Sequence, residues 1–360
     1  MTDESRTWWI DSGPEDLGDG IHRIPLPLPT DALRAVNVYV IEDGGQLVLV
    51  DGGWALPESE QVLRSGLGKL GYDPRDITDF LVTHIHRDHY TQAVALRELY
   101  GCRVGLGSGE RPNFDRILST LGMPYPQPAD IERVRARGSD ELADWLLSNS
   151  RSISDVEQRN WKLPDRWLDD GQVLELASRN LTVIATPGHT RGHVVFRDDR
   201  AGLLFAGDHV LPHITPSIGF EPAPASFPLR DYLAALTLVR ALPDSRLLPA
   251  HGPVVPSVHT RVDELLGHHA ERLAASAQVI TEGAVTAHDA ARRLTWTRRV
   301  TRFDDLDHFN QLMAVSETAA HLNLLVLRGQ LSMQPAGEDG VERYARKDEL
   351  CKARPVLPTG

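Results

Sequence analysis

Residues 83–90 read THIHRDHY, three histidines and an aspartate within six positions, directly after the apolar run DITDFLV at 76–82. One buried histidine can satisfy its ring locally. His84, His86, Asp88 and His89 together cannot be buried cheaply without a shared partner, and a cation is the partner their chemistry suits. The apolar run is expected to be a buried strand over 76–83, whose alternation would turn His84 and His86 to the same side. The following RDHYTQAVALRELYG has apolar residues at helical spacing and stops at Gly101, so Asp88 and His89 should stand where a helix begins.

Strand signals flank this corner. Before it come IHRIPLPL, AVNVYVIED, a turn at Gly44-Gly45 and QLVLVDGG; after it comes CRVGLG. Further on, QVLEL, LTVIATPG, HVVFRD and GLLFAGD lead through the helical LRDYLAALTLVRAL to a last strand in SRLLPAHG. Two sheet halves packed face to face with helices outside fit that order. The segment 108–170, with Phe114, Tyr125, Trp145, Trp161 and Trp167, is too long for a connector and reads as an inserted helical cap. Beyond 260 the pattern becomes helical, with Thr286 and Asp289 spaced as a capping box and LSMQPAGEDGVERYARK as a hairpin. The expected division is therefore a catalytic domain over 1–260 and a C-terminal winged-helix-like domain over 261–360.

Three more potential ligands end predicted strands: His189 in TPGHTRGH, Asp208 in LLFAGDH and His251 in LLPAHG. Five imidazoles and two carboxylates are about what two divalent ions need while leaving room for water. Zinc is the expected metal, with iron or manganese as alternatives that oxygen and nitrogen donors also accept.

On these motifs the chain resembles the metallo-β-lactamase superfamily, over roughly residues 20–260. The resemblance implies an α/β fold, the αββα sandwich, with metals in a cleft at one edge. It implies that His84, His86 and His189 hold one ion, that Asp88, His89 and His251 hold the other, and that Asp208 bridges them. Asp51 in LVDGG would orient the ligand loop by hydrogen bonds. His86 and the Asp88-His89 pair look like glyoxalase II and its relatives, while GDHVLPHITP and the C-terminal helices look more like β-lactamase-like protein 2. Tyr90-Thr91-Gln92, where the family usually has small residues, and the 108–170 insertion are departures.

The implied chemistry is hydrolysis of an ester, thioester or related acyl bond by a metal-bridging hydroxide, with water or Asp88 protonating the leaving group. Tyr90, His193, His209 and His213 are candidates for supporting the ligands or touching substrate. Competing readings are an endoribonuclease like β-lactamase-like protein 2, a mononuclear iron dioxygenase acting on persulfides, and a winged-helix regulator with a degenerate enzyme domain.

Composition narrows the choice. Net charge is −12, and residues 261–360 carry 13 basic against 14 acidic side chains, so 11 of the 12 excess negative charges lie in 1–260. Such a surface repels a nucleic-acid backbone unless a basic patch offsets it. The best patch is Arg292, Arg293, Arg298, Arg299 and Arg302, followed at once by Asp304, Asp305 and Asp307. A small or carrier-linked acyl substrate is expected instead. Cys102 and Cys351 give neither a disulfide framework nor a cysteine metal site. No apolar run approaches the ~20 residues of a membrane span, and MTDESRTWWIDSGPEDLGDG has no signal-peptide pattern, so a cytoplasmic enzyme is expected.

Overall fold

A computed structural model describes residues 9–10, 13–29, 33–152, 154–283, 285–296, 302–334 and 337–347. In chain order it runs β1 (Glu15–Gly18), β2 (Ile21–Pro27), β3 (Ala35–Asp43), β4 (Gln46–Val50), α1 (Pro57–Lys69), β5 (Ile77–Val82), α2 (Arg87–Tyr100) and β6 (Arg103–Gly107). The insertion follows as α3 (Arg111–Thr120), β7 (Pro124–Tyr125), α4 (Pro128–Ala136), α5 (Asp140–Ser148), β8 (Arg151–Ser152), α6 (Asp155–Arg159) and β9 (Arg166–Leu168). Then come β10 (Val173–Glu175), β11 (Asn180–Ala185), β12 (Val194–Asp198), β13 (Leu203–Gly207), α7 (Pro228–Ala241) and β14 (Arg246–Pro249). The chain continues as α8 (Val258–Thr281), α9 (Ala287–Arg293), α10 (His308–Leu327), β15 (Leu331–Gln334) and β16 (Arg343–Arg346).

One sheet has the order β1-β2-β3-β4-β5-β6-β9 and the other β10-β11-β12-β13-β14. Strand alternation builds the layers. Tyr39 and Ile41 of β3, with Val48 and Val50 of β4, meet Val183, Phe196 and Phe205 of the second sheet in one apolar layer. Their neighbours Val38, Val40, Leu47 and Leu49 face the other way, onto Leu63 and Leu67 of α1 and Ala93 and Val94 of α2. Likewise Val195, Leu204 and Ala206 turn outward onto the helices α7, α8 and α10. Each fully buried Leu, Val or Phe contributes roughly 1.5–3 kcal/mol relative to exposure, so the sandwich has a framework independent of its polar cleft. Among the described residues, no helix is long and apolar enough to cross a membrane.

Two expectations need correction. β5 ends at Val82, so His84 and His86 do not alternate along a strand: residues 83–86 form a loop, and His86 is the N-cap of α2. The insertion is not one helical cap either. Its last residues form β9, parallel to β6, and Phe114 is fully buried against Tyr90 and Trp167 in the helical layer of the first sheet. Its α4 and α5 instead share an apolar cluster with the helices beyond 258, and Trp145 stacks on His308 of α10.

The expected three C-terminal helices and hairpin are present, and Thr286 and Asp289 do form a capping box. The expected boundary between 260 and 261 lies inside α8. This helix starts after Ser257, whose hydroxyl accepts from Thr260 N–H, and it drives Val258, Val262 and Leu265 into the cluster beneath the second sheet. Cys102 is buried, and burial pushes its thiol up to about 11; Cys351 lies outside the described residues.

Candidate metal centre

All seven expected ligands meet beyond the ends of β5, β11, β13 and β14 and in the first turn of α2. The ligand atoms of His84, His86 and His189 lie within 4.8 Å of one another, as do those of Asp88, His89 and His251. A third such group joins Asp208 to His84 and His89. Asp208 faces both triads: Oδ2 is 3.4 Å from His189 Nε2, while Oδ1 is 3.3 Å from His251 Nε2 and 3.7 Å from His89 Nε2. Among the described residues, every such group of metal-capable side chains belongs to this centre.

The rings are tied down from behind. His86 Nε2 donates to the carbonyl of Phe220 at 3.1 Å, His189 Nδ1 to that of Ser217 at 2.7 Å, and His251 Nδ1 to that of Ala35 at 2.8 Å. His89 Nδ1 donates to Asp51 Oδ2 at 2.9 Å, and His84 Nδ1 lies 3.1 Å from Thr83 Oγ1. A carbonyl or carboxylate acceptor fixes which nitrogen carries the proton, so the opposite nitrogen presents a lone pair inward. There His84 Nε2, His89 Nε2, His251 Nε2 and Asp208 Oδ1 are buried and have no hydrogen-bond partner among the described residues. His86 Nδ1 and His189 Nε2, both left with lone pairs by their tethers, face each other at 3.0 Å. Buried polar atoms are ordinarily paired, and a cation is what this convergence accepts.

The electrostatics divide along the same line. Burial, and then the neighbouring histidines, hold His84 well below its usual value, and burial with His189 brings His86 down to about 3. His89 is the opposite case. Burial opposes its charge, yet Asp51, Asp88 and Asp208 push it up to about 10, so these carboxylates favour a cation at its inward nitrogen, whether a proton or a metal ion. Despite burial, the imidazoles of His89, His251 and His86 keep Asp88 down at about 2, and His251, His89 and His189 likewise keep Asp208 low.

Asp51 shapes the ligand loop. It holds a left-handed φ of 63°, a conformation that Asp tolerates better than most residues and that often marks functional corners. Its Oδ1 accepts from Thr83 N–H at 2.8 Å while Oδ2 orients His89, so one carboxylate sets both ends of the 83–89 segment. Gly207 is equally constrained. At φ 50° a Cβ would stand 2.6 Å from Thr83 Oγ1 and 2.8 Å from His193 Nε2.

The candidates of unassigned role separate clearly. His193 is fully buried: its Nε2 accepts the Asp208 N–H at 3.2 Å and its Nδ1 pairs with Thr186 Oγ1 at 2.8 Å, so it positions Asp208. Tyr90 does not touch the cleft. Its hydroxyl donates to the Lys162 carbonyl and its ring packs on Phe114 and Trp161, because one residue of helix past His89 turns it into the apolar layer. His209 is buried against Tyr232, and His213 is exposed on the loop after β13.

A network that no sequence motif announced supports the ligands. Fully buried Glu110 accepts from Thr190 Oγ1 and Ile85 N–H, the neighbours of His189 and of His84 and His86. Asn113 Nδ2 donates both to Glu110 Oε2 at 2.6 Å and to Glu221 Oε2 at 2.7 Å. Glu221 in turn accepts Arg191 N–H, fastening the loop whose carbonyls at 217 and 220 hold His189 and His86. Burial pushes Glu110 up to about 7.

The candidate basic patch is largely neutralised. Arg292 and Arg302 pair with Asp304 and Arg293 donates to backbone carbonyls, while Arg298 and Arg299 lie outside the described residues.

Comparison with known proteins agrees with this geometry. The model of the Metallo-beta-lactamase superfamily matches residues 31–251, more than half of the chain. The beta-lactamase-like protein 2 homolog of Caenorhabditis elegans is 28% identical over 264 residues, covering 72% of this chain and 70% of that protein. The acyl-coenzyme A thioesterase MBLAC2 of Bos taurus is also 28% identical, over 54% of this chain and 65% of that protein. Among solved structures, a metallo-beta-lactamase family protein of Thermus thermophilus superposes with a TM-score of 0.73 at 27% identity, covering 92% of this chain and all of that one.

Proposed function

The chain belongs to the metallo-beta-lactamase superfamily and is a metal-dependent hydrolase, and we propose from that premise that it cleaves an acyl thioester or a related acyl ester. The observation that carries the reading is the convergence of seven ligand side chains, with the inward atoms of His84, His89, His251 and Asp208 unpartnered among the described residues and Asp208 facing both triads. His84, His86 and His189 would hold one divalent ion, and Asp88, His89 and His251 a second, with zinc the expected metal and Asp208 between them. Ions bound there would polarise an acyl carbonyl and lower the pKa of water toward ~7.

The chain's own groups do the rest. Backbone carbonyls at 35, 217 and 220 and the Asp51 carboxylate lock the rings, so no reorganisation accompanies reaction. Water adds to the acyl carbon, the bond to sulfur or oxygen breaks, and the leaving group takes a proton. Asp88 has the most open of the three carboxylates, with 17% of its side chain exposed against 8% for Asp208 and 3% for Asp51, and this exposure supports a role for it in passing that proton. The helices and hairpin beyond 258 are read as a winged-helix-like support for this cleft: Phe309 of α10 packs on Phe220, whose carbonyl orients His86. An acyl thioester substrate also fits a cytoplasmic enzyme.

Metal analysis beside a substrate screen tests the proposal. Close to two ions per chain are expected, with hydrolysis of acyl-N-acetylcysteamine thioesters lost on chelation and restored by zinc. Saturation at one ion with full activity would favour the mononuclear dioxygenase reading, and cleavage of RNA without any thioester would favour the endoribonuclease.

A further inference from the structure

A cavity opens at the start of the ligand helix α2. It has a volume of about 150 Å³ and is lined by Trp54, Arg87, Tyr125, Arg151, Glu157 and Trp161, among others. Arg87 lies between His86 and Asp88 in sequence, at the first residue of α2, so the cavity begins one residue from two of the candidate ligands. Its walls come from the ligand helix, from the loop after Asp51 and from the insertion.

Two features of its chemistry stand out. The Arg87 guanidinium stacks 3.9 Å from the centroid of the Trp54 ring, which fixes its plane while leaving its edge to donate. Neither Arg87 nor Arg151 forms an ion pair with a carboxylate of the described residues, although the chain carries 50 acidic side chains and a net charge of −12. The one acid in the lining is directed elsewhere: Glu157 Oε2 accepts from the N–H and hydroxyl of Ser154 at the start of α6. Two guanidiniums with no carboxylate partner among the described residues, bordered by Trp54, Tyr125 and Trp161, form a site for an anion carried on a partly apolar arm. At about 150 Å³ the cavity suits a charged handle rather than a whole acylated carrier.

Resting on the acyl-thioester reading above, we propose that this cavity seats the phosphate-bearing arm of the substrate's carrier thiol, as in coenzyme A or a phosphopantetheinyl carrier protein. The insertion then selects the carrier and takes no part in the chemistry. Tyr125 is 47% exposed at the cavity edge, open to an arm entering from solvent.

Binding is measured first, by calorimetry of the zinc-loaded enzyme with desulfo-coenzyme A, which lacks the thiol that would itself ligate metal. Arg151→Glu and Trp161→Ala should each weaken this probe by about tenfold or more, the scale of losing a charge-assisted contact or an aromatic wall. Arg75→Glu, an exposed charge reversal before the opposite end of β5, should leave it unaltered. Turnover then separates the two sources of the arm, by comparing kcat/KM for butyryl-coenzyme A, a butyryl-phosphopantetheinyl carrier protein and butyryl-N-acetylcysteamine. A preference for either carrier over the armless thioester that collapses in Arg151→Glu supports the site. Hydrolysis of all three with equal kcat/KM, or binding of desulfo-coenzyme A that Arg151→Glu and Trp161→Ala leave intact, overturns it while the thioesterase reading stands. Failure to hydrolyse any of the three thioesters overturns the thioesterase reading itself.

Discussion

Two groups of buried histidines lie in this molecule, and they are built oppositely. At the cleft, five imidazoles are tethered from behind and interleaved with Asp88 and Asp208, and His84, His89 and His251 turn inward nitrogens that have no partner among the described residues. Under the second sheet, His269 Nδ1 and His321 Nε2 lie 3.1 Å apart and His321 Nδ1 donates to the Glu317 carbonyl. These rings stack with centroids 5.3 Å apart beside Tyr232, and no third metal-capable atom of the described residues converges on them. Burial depresses His269 to about 3 and His321 to about 4, whereas His89 in the cleft is pushed up to about 10. The number of histidines therefore does not mark a metal site. Carboxylates within reach and far nitrogens already committed do.

Removing the carboxylate that faces both triads should break the contrast most severely. Asp208→Asn keeps the shape and the N–H that His193 accepts, yet removes the charge that would offset the two proposed dications. Turnover should fall by about a thousandfold or more, with one ion held much more weakly than the other, because a fixed, oppositely charged group in a dry site is among the largest catalytic terms. The circular dichroism spectrum should not change. Near-parental kcat under excess zinc would show that Asp208 does not bridge.

The support network should give the next largest effect. In Glu110→Gln the amide cannot accept from Ile85, Thr190 and Asn113 together, so the two ligand loops lose a common anchor. Loss of such an outer partner costs roughly 10- to 100-fold in metal affinity. Competition with a chromogenic chelator should show that loss for one ion, the one assigned to His84, His86 and His189. Equal weakening of both ions would mean that the network stabilises the fold generally.

What the sequence revealed follows from which interactions are local. The ligands could be read because metal chemistry admits few residue types and because His84, His86, Asp88 and His89 share one short segment. The core strands could be read from alternation, as β3 and β4 show by sending odd and even residues to different layers. β1 and β9 are too short to display a period, and β9 was hidden inside an apparent cap. Glu110, Asn113 and Glu221 carry no signature, since Asn113 and Glu221 meet only when segments more than a hundred residues apart fold together. Tyr90 misleads by adjacency: sequence places it beside His89, and helical rotation carries it into the core.

A smaller effect is expected at His193, which touches the centre only through the Asp208 backbone. His193→Ala opens a buried cavity and leaves the Asp208 N–H unpaired, which should cost about 2–4 kcal/mol of stability. Both ions should remain, and kcat should fall only several-fold as Asp208 loses its fixed position. Loss of one ion in this variant would promote His193 to a direct ligand.

The smallest effect on activity belongs to the second histidine group, where it is diagnostic. His321→Leu should leave metal content and turnover at parental levels, because no candidate ligand touches that ring. Its signature lies in acid stability. His321 is held neutral, with a folded pKa of about 4 against ~6.5 unfolded, so the unfolded chain binds the extra proton as pH falls. The folded protein keeps the full benefit above pH ~6.5 and loses it progressively down toward about 4. Between pH 6.5 and 5 this amounts to about 2 kcal/mol for one such group. The neighbours that also titrate or carry charge, His268, His269, Arg272, Glu317 and Tyr232, remain in the variant, so the difference between parent and His321→Leu reports this ring together with its effect on its partner His269. Urea unfolding of metal-free parent and variant at pH 6.5 and pH 5 should show the gap closing by about that amount in the variant's favour. A constant gap would mean that His321 is already paired with a proton in the folded state, and the two histidine groups would then be less different than their geometry indicates.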